Sequence, residues 1–418
     1  MERLKIQGGR TLEGSLRVQG AKNSVLPILA ATLLIRGEST LKGCPDLKDV
    51  DAAIAILRYL GCTVMREGND IHINSTNMLR RDIPDDLMRE MRSSVIFLGA
   101  ILGRAGEAVL SMPGGCELGP RPINLHLEAL EALGAILEET SGNIICHGGR
   151  LVGAQINLAS PSVGATENVM LAAVSAEGET VLTNAAREPE IVDLQNFLVA
   201  AGAQIHGAGT STITIQGGVT LRPVEYRIMP DRIVASTYLS AVAFAGGRLE
   251  LQDIVPEDIA TVTASLRAAG CEIEVTDHSL RLRSKGRLAA ISPVMTRPYP
   301  GFPTDAQPCL VAASVKSRGT TVFIENIFQN RYRYVEELHR MGADIKLEGR
   351  VAVVTGVERL TGASVSATDL RGGAALVVAA LGAEGETLVA EVDHIDRGYD
   401  CIEVTLRELG ADIERIAM

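Results

Sequence analysis

The sequence predicts an α/β fold built from six copies of one unit, three in each of two domains. A phrase that joins the end of an amphipathic helix to a strand through a glycine recurs six times. The phrases are LRYLGCTV, LEALGAIL, LVAAGAQI, LRAAGCEI, LHRMGADI and LRELGADI, with glycines at Gly61, Gly134, Gly202, Gly270, Gly342 and Gly410. Their intervals of 73, 68, 68, 72 and 68 residues account for the whole chain. The whole fold is therefore predicted to consist of six copies of this repeat.

The elements of one unit can be read from the second repeat. SSVIFLGAILGRAG is an apolar helix, EAVLSM a strand and INLHLEALEALGA an amphipathic helix, and AILEE and NIICHG are two further strands. This order of helix–strand–helix–strand–strand fits the first five repeats. The sixth repeat stops after ADIERIAM without its last strand, and the opening ERLKIQGG supplies a candidate for it. We therefore expect one domain at 22–229 and another at 1–21 plus 230–418, with chain crossings near residues 21 and 229. A single six-fold ring is the competing arrangement.

Composition and charge exclude several classes of function. The chain has 418 residues, of which 46% are apolar, and its net charge is −11. A chain this acidic is not expected to bind nucleic acid through its overall field, so anionic ligands must be held by local cations. The opening MERLKIQGGR lacks the apolar run of a signal peptide, and no apolar stretch is long enough for a membrane span. Seven scattered cysteines without a CxxC pair predict neither a disulfide framework nor a metal site. We therefore expect a cytoplasmic protein.

Polar groups recur at two equivalent places in the repeats. One set opens the first helix of each unit, and the other lies between its first strand and its second helix. The first set is Lys22, Asn23, Arg92, Ser162, Asp231, Arg232, Asp305 and Arg371; the second is Cys116, Arg121, Arg187, Glu188, Arg331 and Arg397. Helix N-termini favour anions, so these positions predict a site for a multiply anionic substrate. Ordinary helix caps and surface charges are the alternative for each residue taken singly.

Longer motifs give the chain a resemblance to a known family. They include GAKNSVLPILAATLL, PGGCELGPRPINLHLEALEALGA, PSVGATEN, AAREPEIVDLQNFL, FPTDAQP and HIDRGYD, in order from end to end. The chain resembles the UDP-N-acetylglucosamine enolpyruvyl transferases (1-carboxyvinyltransferases) of the EPSP synthase family. The resemblance implies two inside-out α/β domains of three units each, with the active site in the cleft between them. It also implies transfer of the enolpyruvyl group of phosphoenolpyruvate to UDP-N-acetylglucosamine with release of phosphate, without a cofactor or metal.

The same resemblance assigns roles to individual residues. It implies that Cys116, Asp305, Lys22 and Arg397 are catalytic. It assigns phosphoenolpyruvate binding to Lys22, Asn23, Cys116, Arg121, Arg331 and Arg397. It assigns binding of the nucleotide sugar to Asn23, Arg92, Arg121, Pro122, Ile123, Asn124, Leu125, Ser162, Val163, Gly164, Asp305, Ile327 and Arg371. Val234 stands where a glutamate is common in the family, which puts one polar contact in doubt.

The residue types suit an addition–elimination reaction. A general acid must protonate C3 of the enol, a base must assist the attacking hydroxyl, and fixed cations must hold the departing phosphate. Asp305 can be the base, and Cys116, on a glycine-rich loop beside Arg121, can be the acid with a lowered thiol pKa. Lys22, Arg121 and Arg397 can hold the phosphate and carboxylate. His126 is expected on the inner face of its helix rather than in catalysis. A 3-phosphoshikimate enolpyruvyl transferase and a silent binding paralogue remain as alternatives.

Overall fold

A computed structural model describes residues 2–111, 123–140 and 142–417, and the backbone alone at Arg92. These residues divide into two compact units. The terminal unit comprises 2–19 and 230–417, and the central unit comprises 20–111, 123–140 and 142–229. No helix of the described residues is long and apolar enough to cross a membrane.

Helices and strands alternate from the N-terminus to the end of the central unit. The elements are β1 (Glu2–Gln7), β2 (Leu12–Arg17), α1 (Lys22–Ala31), β3 (Glu38–Lys42), α2 (Lys48–Tyr59), β4 (Thr63–Glu67), β5 (Asp70–Asn74), β6 (Asp82–Ile83), α3 (Asp85–Glu90), α4 (Phe97–Ala105), β7 (Glu107–Ser111), α5 (Asn124–Ala132), β8 (Ile136–Thr140), β9 (Asn143–His147), β10 (Gln155–Asn157), α6 (Val163–Ala173), β11 (Glu179–Thr183), α7 (Pro189–Ala200), β12 (Gln204–His206), β13 (Thr212–Gln216) and β14 (Glu225–Arg227). Short 3-10 helices cover Thr32–Leu34 and Arg92–Ile96.

The remaining elements complete the terminal unit. They are α8 (Arg232–Ala245), β15 (Gly247–Gln252), α9 (Ala260–Ala268), β16 (Glu272–Val275), β17 (Ser279–Ser284), β18 (Val294–Met295), α10 (Gln307–Ser314), β19 (Thr320–Ile324), α11 (Val335–Arg340), β20 (Asp344–Glu348), β21 (Val351–Thr355), β22 (Ser364–Ser366), α12 (Leu370–Leu381), β23 (Glu386–Ala390), α13 (Ile402–Glu408) and β24 (Asp412–Ala417). Further 3-10 helices cover Pro256–Ile259, Arg331–Tyr334 and Val392–His394.

Within the described residues the strands form six four-stranded sheets of one design. The central unit holds β14-β3-β5-β4, β6-β7-β9-β8 and β10-β11-β13-β12, and the terminal unit holds β2-β15-β17-β16, β18-β19-β21-β20 and β22-β23-β1-β24. In each sheet the first two strands are parallel and the others are antiparallel. Each repeat thus has a short strand, parallel to the next, in addition to the predicted helix–strand–helix–strand–strand order. These strands are two to six residues long, and most are too short to give a sequence pattern.

The six recurring glycines end the second helix of each repeat, as predicted. Their φ angles lie between 92° and 108°, a region that glycine adopts without strain. At the first of them, Gly61 N–H donates to the carbonyl of Arg58 at 3.0 Å and Cys62 N–H to that of Leu57 at 3.0 Å. This is the Schellman arrangement, which satisfies helix-end carbonyls before the chain turns into a strand.

The first helix of each repeat lies inside and the sheets lie outside. In the terminal unit α8, α10 and α12 pack against one another, and in the central unit α4 packs against α1 and α6. Residues 371–381 of α12 are all buried, because GAALVVAAL has no polar face. Polar side chains inside α8 bond within the helix: Ser236 donates to the carbonyl of Arg232 at 2.7 Å and Ser240 to that of Ser236 at 2.8 Å. Each unit is therefore an inside-out α/β domain.

The N-terminal strand β1 is an interior strand of the sixth sheet. It pairs antiparallel with β23 on one side and β24 on the other, so that Ile6 lies opposite Thr387 and Ile413. Leu4 and Ile6 are fully buried, while Lys5 faces outward between Glu386 and Glu414. Residues 2–7 therefore contribute both backbone hydrogen bonds to the sixth sheet and two side chains to the core.

This alternation gives a test of the strand. Ile6→Ala removes buried methyl groups and should lower the free energy of unfolding by about 2–5 kcal/mol. Lys5→Ala, its neighbour on the outer face, should leave that free energy nearly unchanged. Both can be measured by urea unfolding of the full chain. Equal, small effects of the two substitutions would contradict the placement of Ile6 in the core.

Candidate active site

Asp305 lies between two buried arginines in the terminal unit. It lies in the turn that precedes α10, and its Oδ1 accepts a hydrogen bond from Nη2 of Arg331. Its Oδ2 is 3.6 Å from Nη2 of Arg371. The arginine side chains are 1% and 3% exposed, whereas that of Asp305 is 28% exposed. Two adjacent cations favour the charged form of the carboxylate, and its exposed part leaves it accessible to a ligand.

A hydrogen-bonded loop fixes Arg331. Nε of Arg331 donates to the carbonyl and to Oγ1 of Thr304, both at 3.2 Å. Thr304 Oγ1 in turn donates to Glu325 at 3.0 Å. The other oxygen of Glu325 accepts from the backbone N–H groups of Ile327 at 2.8 Å and Phe328 at 3.0 Å. Glu325 therefore connects Ile327, a predicted nucleotide-sugar contact, to the turn that carries Asp305.

Arg371 belongs to the first turn of α12. Asp369 caps this helix by accepting from the N–H groups of Arg371 and Gly372, both at 3.0 Å. Nη1 of Arg371 donates to the Tyr399 hydroxyl at 3.2 Å. Burial acts to lower the pKa of Arg371, but Tyr399, Asp305 and Asp231 outweigh it, so the pKa is raised. The guanidinium is therefore charged at neutral pH.

Gly372 allows α12 to begin in this crowded position. A Cβ there would lie 2.6 Å from Oδ2 of Asp369 and 3.0 Å from Cβ of Tyr334. The next residue, Gly373, is equally confined, because a Cβ would lie 2.7 Å from Cγ1 of Ile395. The glycine pair therefore lets the cap and its neighbours approach Arg371 closely.

The structure brings three of the predicted residues of the terminal unit into direct contact. Asp305, Arg331 and Arg371 come together, and Ile327 is tied to them through Glu325. Arg397 is partly buried and follows the 3-10 helix Val392–His394, two residues before the Tyr399 that bonds Arg371. Val234 is fully buried in the first turn of α8, where its N–H donates to Asp231 at 2.9 Å.

Lys22 opens the corresponding site in the central unit. It begins α1, whose first residue is preceded by Ala21 with no side-chain cap. Its Nζ lies 2.6 Å from Oδ2 of Asp49 in the first turn of α2, and both side chains are buried. Asn23 is the next residue and is partly exposed. An uncapped helix start with a buried cation beside it suits an anion.

The structure brings together two predicted nucleotide-sugar segments that are distant in sequence. Ile123, Asn124 and Leu125 lie at the start of α5, and Ser162, Val163 and Gly164 lie at the start of α6. The side-chain oxygen of Ser162 caps α6 by accepting from Ala165 N–H at 3.3 Å.

His126 and Asn168 join these two helix starts. The Asn168 amide lies 2.8 Å from Nδ1 of His126 and also donates to the carbonyls of Val95 at 3.1 Å and Gly164 at 3.3 Å. A Cβ on Gly164 would lie 2.8 Å from the imidazole, so the ring occupies the space that this glycine leaves open. His126 is buried, and burial lowers its pKa to about 4. It therefore has the expected inward position.

Some predicted residues lie outside the described part of the chain. Cys116, Arg121 and Pro122 fall between the described ranges, and of Arg92 only the backbone is placed, at the start of a 3-10 helix. No group of three or more His, Cys, Asp or Glu side chains within the described ranges could hold a metal ion.

These observations agree with comparisons to known proteins. The profile of the EPSP synthase family (3-phosphoshikimate 1-carboxyvinyltransferase) matches residues 6–406. The chain belongs to the EPSP synthase family. Among family members, it is 52% identical to UDP-N-acetylglucosamine 1-carboxyvinyltransferase 2 of Caldanaerobacter subterraneus subsp. tengcongensis and 46% identical to the UDP-N-acetylglucosamine 1-carboxyvinyltransferase of Halorhodospira halophila. Both alignments cover 100% of each chain.

Solved structures of the EPSP synthase family have the same architecture. The enolpyruvyl transferase NikO from Streptomyces tendae superposes with a TM-score of 0.89 and 25% identity, over 100% of this chain and 99% of NikO. An EPSP synthase from Acinetobacter baumannii superposes with a TM-score of 0.75 over 100% of both chains, and at 19% identity it supports the fold alone.

Sequence reasoning missed the partners of the predicted residues in this family member. Asp49, Glu325, Asn168 and Tyr399 each hold or orient a predicted residue. The sequence places Asp49 in the first turn of a predicted helix, where acidic residues are common. Only the structure shows that Asp49 is buried, which is rare for an aspartate and points to its pairing with Lys22. Asn168 and Tyr399 lie within the motifs PSVGATEN and HIDRGYD, but the resemblance gave them no role. The bond from Thr304 to Glu325 and that from Arg371 to Tyr399 join residues 21 and 28 positions apart, so no local pattern could show them.

The buried imidazole of His126 predicts a pH dependence of stability. Its pKa is about 4 when folded and about 6.5 in an unfolded chain. Between these values only the unfolded chain is protonated at this residue, so stability is complete above pH 6.5 and falls as the pH drops to 4, by about 3 kcal/mol at most. Urea unfolding of wild type and His126→Gln from pH 7.5 to 4 should show this loss in the wild type only. Parallel pH profiles would contradict a neutral, buried His126.

Proposed function

We propose that this chain transfers the enolpyruvyl group of phosphoenolpyruvate to the 3′-hydroxyl of UDP-N-acetylglucosamine, with release of phosphate, in the first committed step of peptidoglycan synthesis. The observation that carries the proposal is the 46–52% identity, over complete chains, to proteins named for this reaction. The substrates are two charged small molecules of the cell interior, so we place the reaction in the cytoplasm. No cofactor is required.

Asp305 is assigned the role of base toward the 3′-hydroxyl. It is the partly exposed member of the cluster with Arg331 and Arg371, so its carboxylate is accessible to the hydroxyl. Arg331 and Arg371 orient the carboxylate through contacts to both of its oxygens.

The cations share the charge of the substrates. Lys22 and Arg397 are assigned to the phosphate and carboxylate of phosphoenolpyruvate, together with Arg121 and Asn23. Lys22 is supported by its burial beside the uncapped start of α1, where free N–H groups also attract anions. The starts of α5 and α6 are assigned to the nucleotide sugar, along with Arg92 and Pro122.

The reaction then proceeds by addition and elimination. Cys116 donates a proton to C3 of phosphoenolpyruvate, and the 3′-oxygen, losing its proton to Asp305, forms a bond to C2. The tetrahedral intermediate then loses a proton from C3 to the Cys116 thiolate and expels phosphate, which takes up the proton held by Asp305, so that the double bond and both side chains are restored. The fixed cations hold the phosphate as its bond to C2 breaks.

The alternative acceptor is shikimate 3-phosphate, after which the family profile is described. Phosphate release from phosphoenolpyruvate should require UDP-N-acetylglucosamine and should not occur with shikimate 3-phosphate. Release with shikimate 3-phosphate alone would replace the proposal, and release with neither acceptor would indicate a silent paralogue.

Asp305→Asn is the matched variant for this assay, because it keeps the shape of the side chain beside Arg331. It should lower turnover by about 10²- to 10⁴-fold while the nucleotide sugar still binds. Unfolding curves must show that the variant folds, since buried arginines lose a charge partner. Near-normal turnover would remove Asp305 from the mechanism.

The other thiols of the chain offer controls for Cys116. Five are buried, with pKa values that burial raises to about 11 or 12: Cys44, Cys62, Cys146, Cys271 and Cys309. Cys401 is exposed, and its pKa is raised by partial burial and by Asp400 and Glu403. Thiolate chemistry at neutral pH is therefore disfavoured at all six.

Cys116 should accordingly be alkylated first at pH 7, ahead of the exposed Cys401. Limited reaction with iodoacetamide followed by peptide mapping gives the order, and fosfomycin, a small anionic epoxide, should modify Cys116 alone. Cys116→Asp should retain activity, because a carboxylic acid can also donate a proton, and should resist the epoxide. Labelling of Cys401 at the same rate, with normal turnover of Cys116→Ala, would exclude Cys116 as the acid.

A further inference from the structure

Four arginines surround a cavity in the central unit that the reaction does not use. The cavity has a volume of about 410 Å³ and is lined by Arg36, Arg80, Arg81 and Arg104, with Leu79 forming part of the wall. We propose that it binds a small molecule carrying two or more linked phosphate groups.

The cavity is separate from the residues assigned to catalysis. Arg36 follows α1 and its 3-10 extension Thr32–Leu34, whereas Lys22 begins α1. At 1.5 Å per residue the two positions lie about 20 Å apart along the helix axis. Arg104 likewise lies in the last turn of α4, at the end opposite to Arg92. The cavity therefore adjoins the helix C-termini, away from the helix starts.

Backbone carbonyls account for only one of the four arginines. Nη2 of Arg104 donates to the carbonyls of Ser75 at 3.0 Å and Thr76 at 3.2 Å, as a cation near helix and strand ends often does. Its Nη1 is buried and has no hydrogen-bond partner among the described residues. Burial and the neighbouring charge of Arg36 lower the pKa of Arg104, which is the response expected of a cation that lacks a counter-charge.

The other three guanidinium groups are exposed and incompletely neutralised. Cζ of Arg80 lies 4.3 Å from the centroid of the Tyr59 ring. Nη1 of Arg81 lies 3.5 Å from Oε1 of Glu107. Arg36 makes no ion pair with any described residue. The carboxylates that adjoin the cluster are Glu107 and Asp82, the latter bonded to the Tyr59 hydroxyl at 2.7 Å. Four positive and two negative charges leave an excess of two, in a chain with a net charge of −11.

The backbone that presents these arginines is fixed. The N–H groups of Leu79 and Arg80 donate to the carbonyl of Leu60 at 2.9 and 3.2 Å. Ser75 closes the end of the α1 extension by donating to the carbonyl of Thr32 at 2.8 Å. The guanidinium groups therefore do not need an ordering step of the main chain before they bind an anion.

Size and charge select the ligand class. The volume is that of more than ten water molecules, which is more than a single phosphate fills. Guanidinium groups match phosphate oxygens in pairs, so several of them around a polar cavity suit linked phosphates. Leu79 is 84% exposed and could contact an apolar part of the same ligand. An acidic segment of another protein would be attracted by the same arginines, and a poly-glutamate peptide tests for it.

Pyrophosphate is the probe. Binding to the full chain is measured by calorimetry at low salt, with UDP-N-acetylglucosamine saturating so that the nucleotide-sugar site is filled. We expect Arg36→Gln/Arg81→Gln to weaken one class of pyrophosphate site by at least about tenfold, through loss of two charge-assisted contacts. The control Arg248→Gln, an exposed arginine of the terminal unit, should bind as wild type does. Both variants should retain phosphate-release activity.

The outcomes separate this proposal from that of the enzymatic function. Absence of pyrophosphate binding, or equal binding by wild type and the double variant, overturns the cavity proposal whatever the catalytic assay gives. Binding of a poly-glutamate peptide without binding of pyrophosphate overturns it in favour of a protein partner. A rise in the midpoint of thermal unfolding with pyrophosphate in the wild type, absent in the double variant, is the second expected result.

Discussion

The burial of six helices that have no polar face constrains the rest of the structure. Helices such as α8 and α12 can be stable only where all sides are covered, so they occupy the interior and the sheets cover them. Inside such a helix a charged side chain would lack water and a partner. Most ionisable groups of these helices therefore lie near helix ends, where backbone N–H or C=O groups remain unpaired. Lys22, Asp231, Asp305 and Arg371 all lie within one turn of a helix start for this reason. Glu167 of α6 lies deeper and is buried, and burial raises its pKa well above the usual value, which favours its neutral form.

The buried charges of Arg331 and Arg371 are tolerated because nearby groups compensate for their removal from water. Arg331 and Arg371 are almost fully buried, and removing two cations from water without compensation would cost several kcal/mol each. Asp305, Thr304, Tyr399 and the ring of Phe328 provide that compensation. The side effect is an oriented carboxylate whose charge is fixed by its neighbours. Stability and chemistry thus depend on the same contacts, so changes to Asp305 have to be judged by folding as well as by rate.

Much of the fold can be predicted from local sequence signals. The contacts that position the side chains of the candidate site cannot. The recurring glycines adopt a positive φ at the turns that end the helices. Such a turn depends on only a few adjacent residues, so the glycines mark the repeats in the sequence. Residues at helix starts are likewise visible from hydrophobic periodicity. The short parallel strands such as β6 have too few residues to alternate. The pairs Lys22–Asp49 and His126–Asn168 depend on how two helices pack, which no single segment encodes.

The two ends of the buried helices attract charge for opposite reasons. At their starts the N–H groups supply positive potential, so an acidic cap such as Asp369 is satisfied there and an uncapped start can hold an anion. At their ends the carbonyls supply negative potential, which favours cations, and Arg104 lies in the last turn of α4. Its hydrogen bonds go to the carbonyls of Ser75 and Thr76, which follow β5. These carbonyls carry only partial charges, whereas each of the four clustered arginines carries a full one, so positive charge remains available to an anion. The interior helices thus account for the anion-attracting helix starts, and the arginine cluster at the opposite ends of α1 and α4 adds local positive charge to a chain that is acidic as a whole.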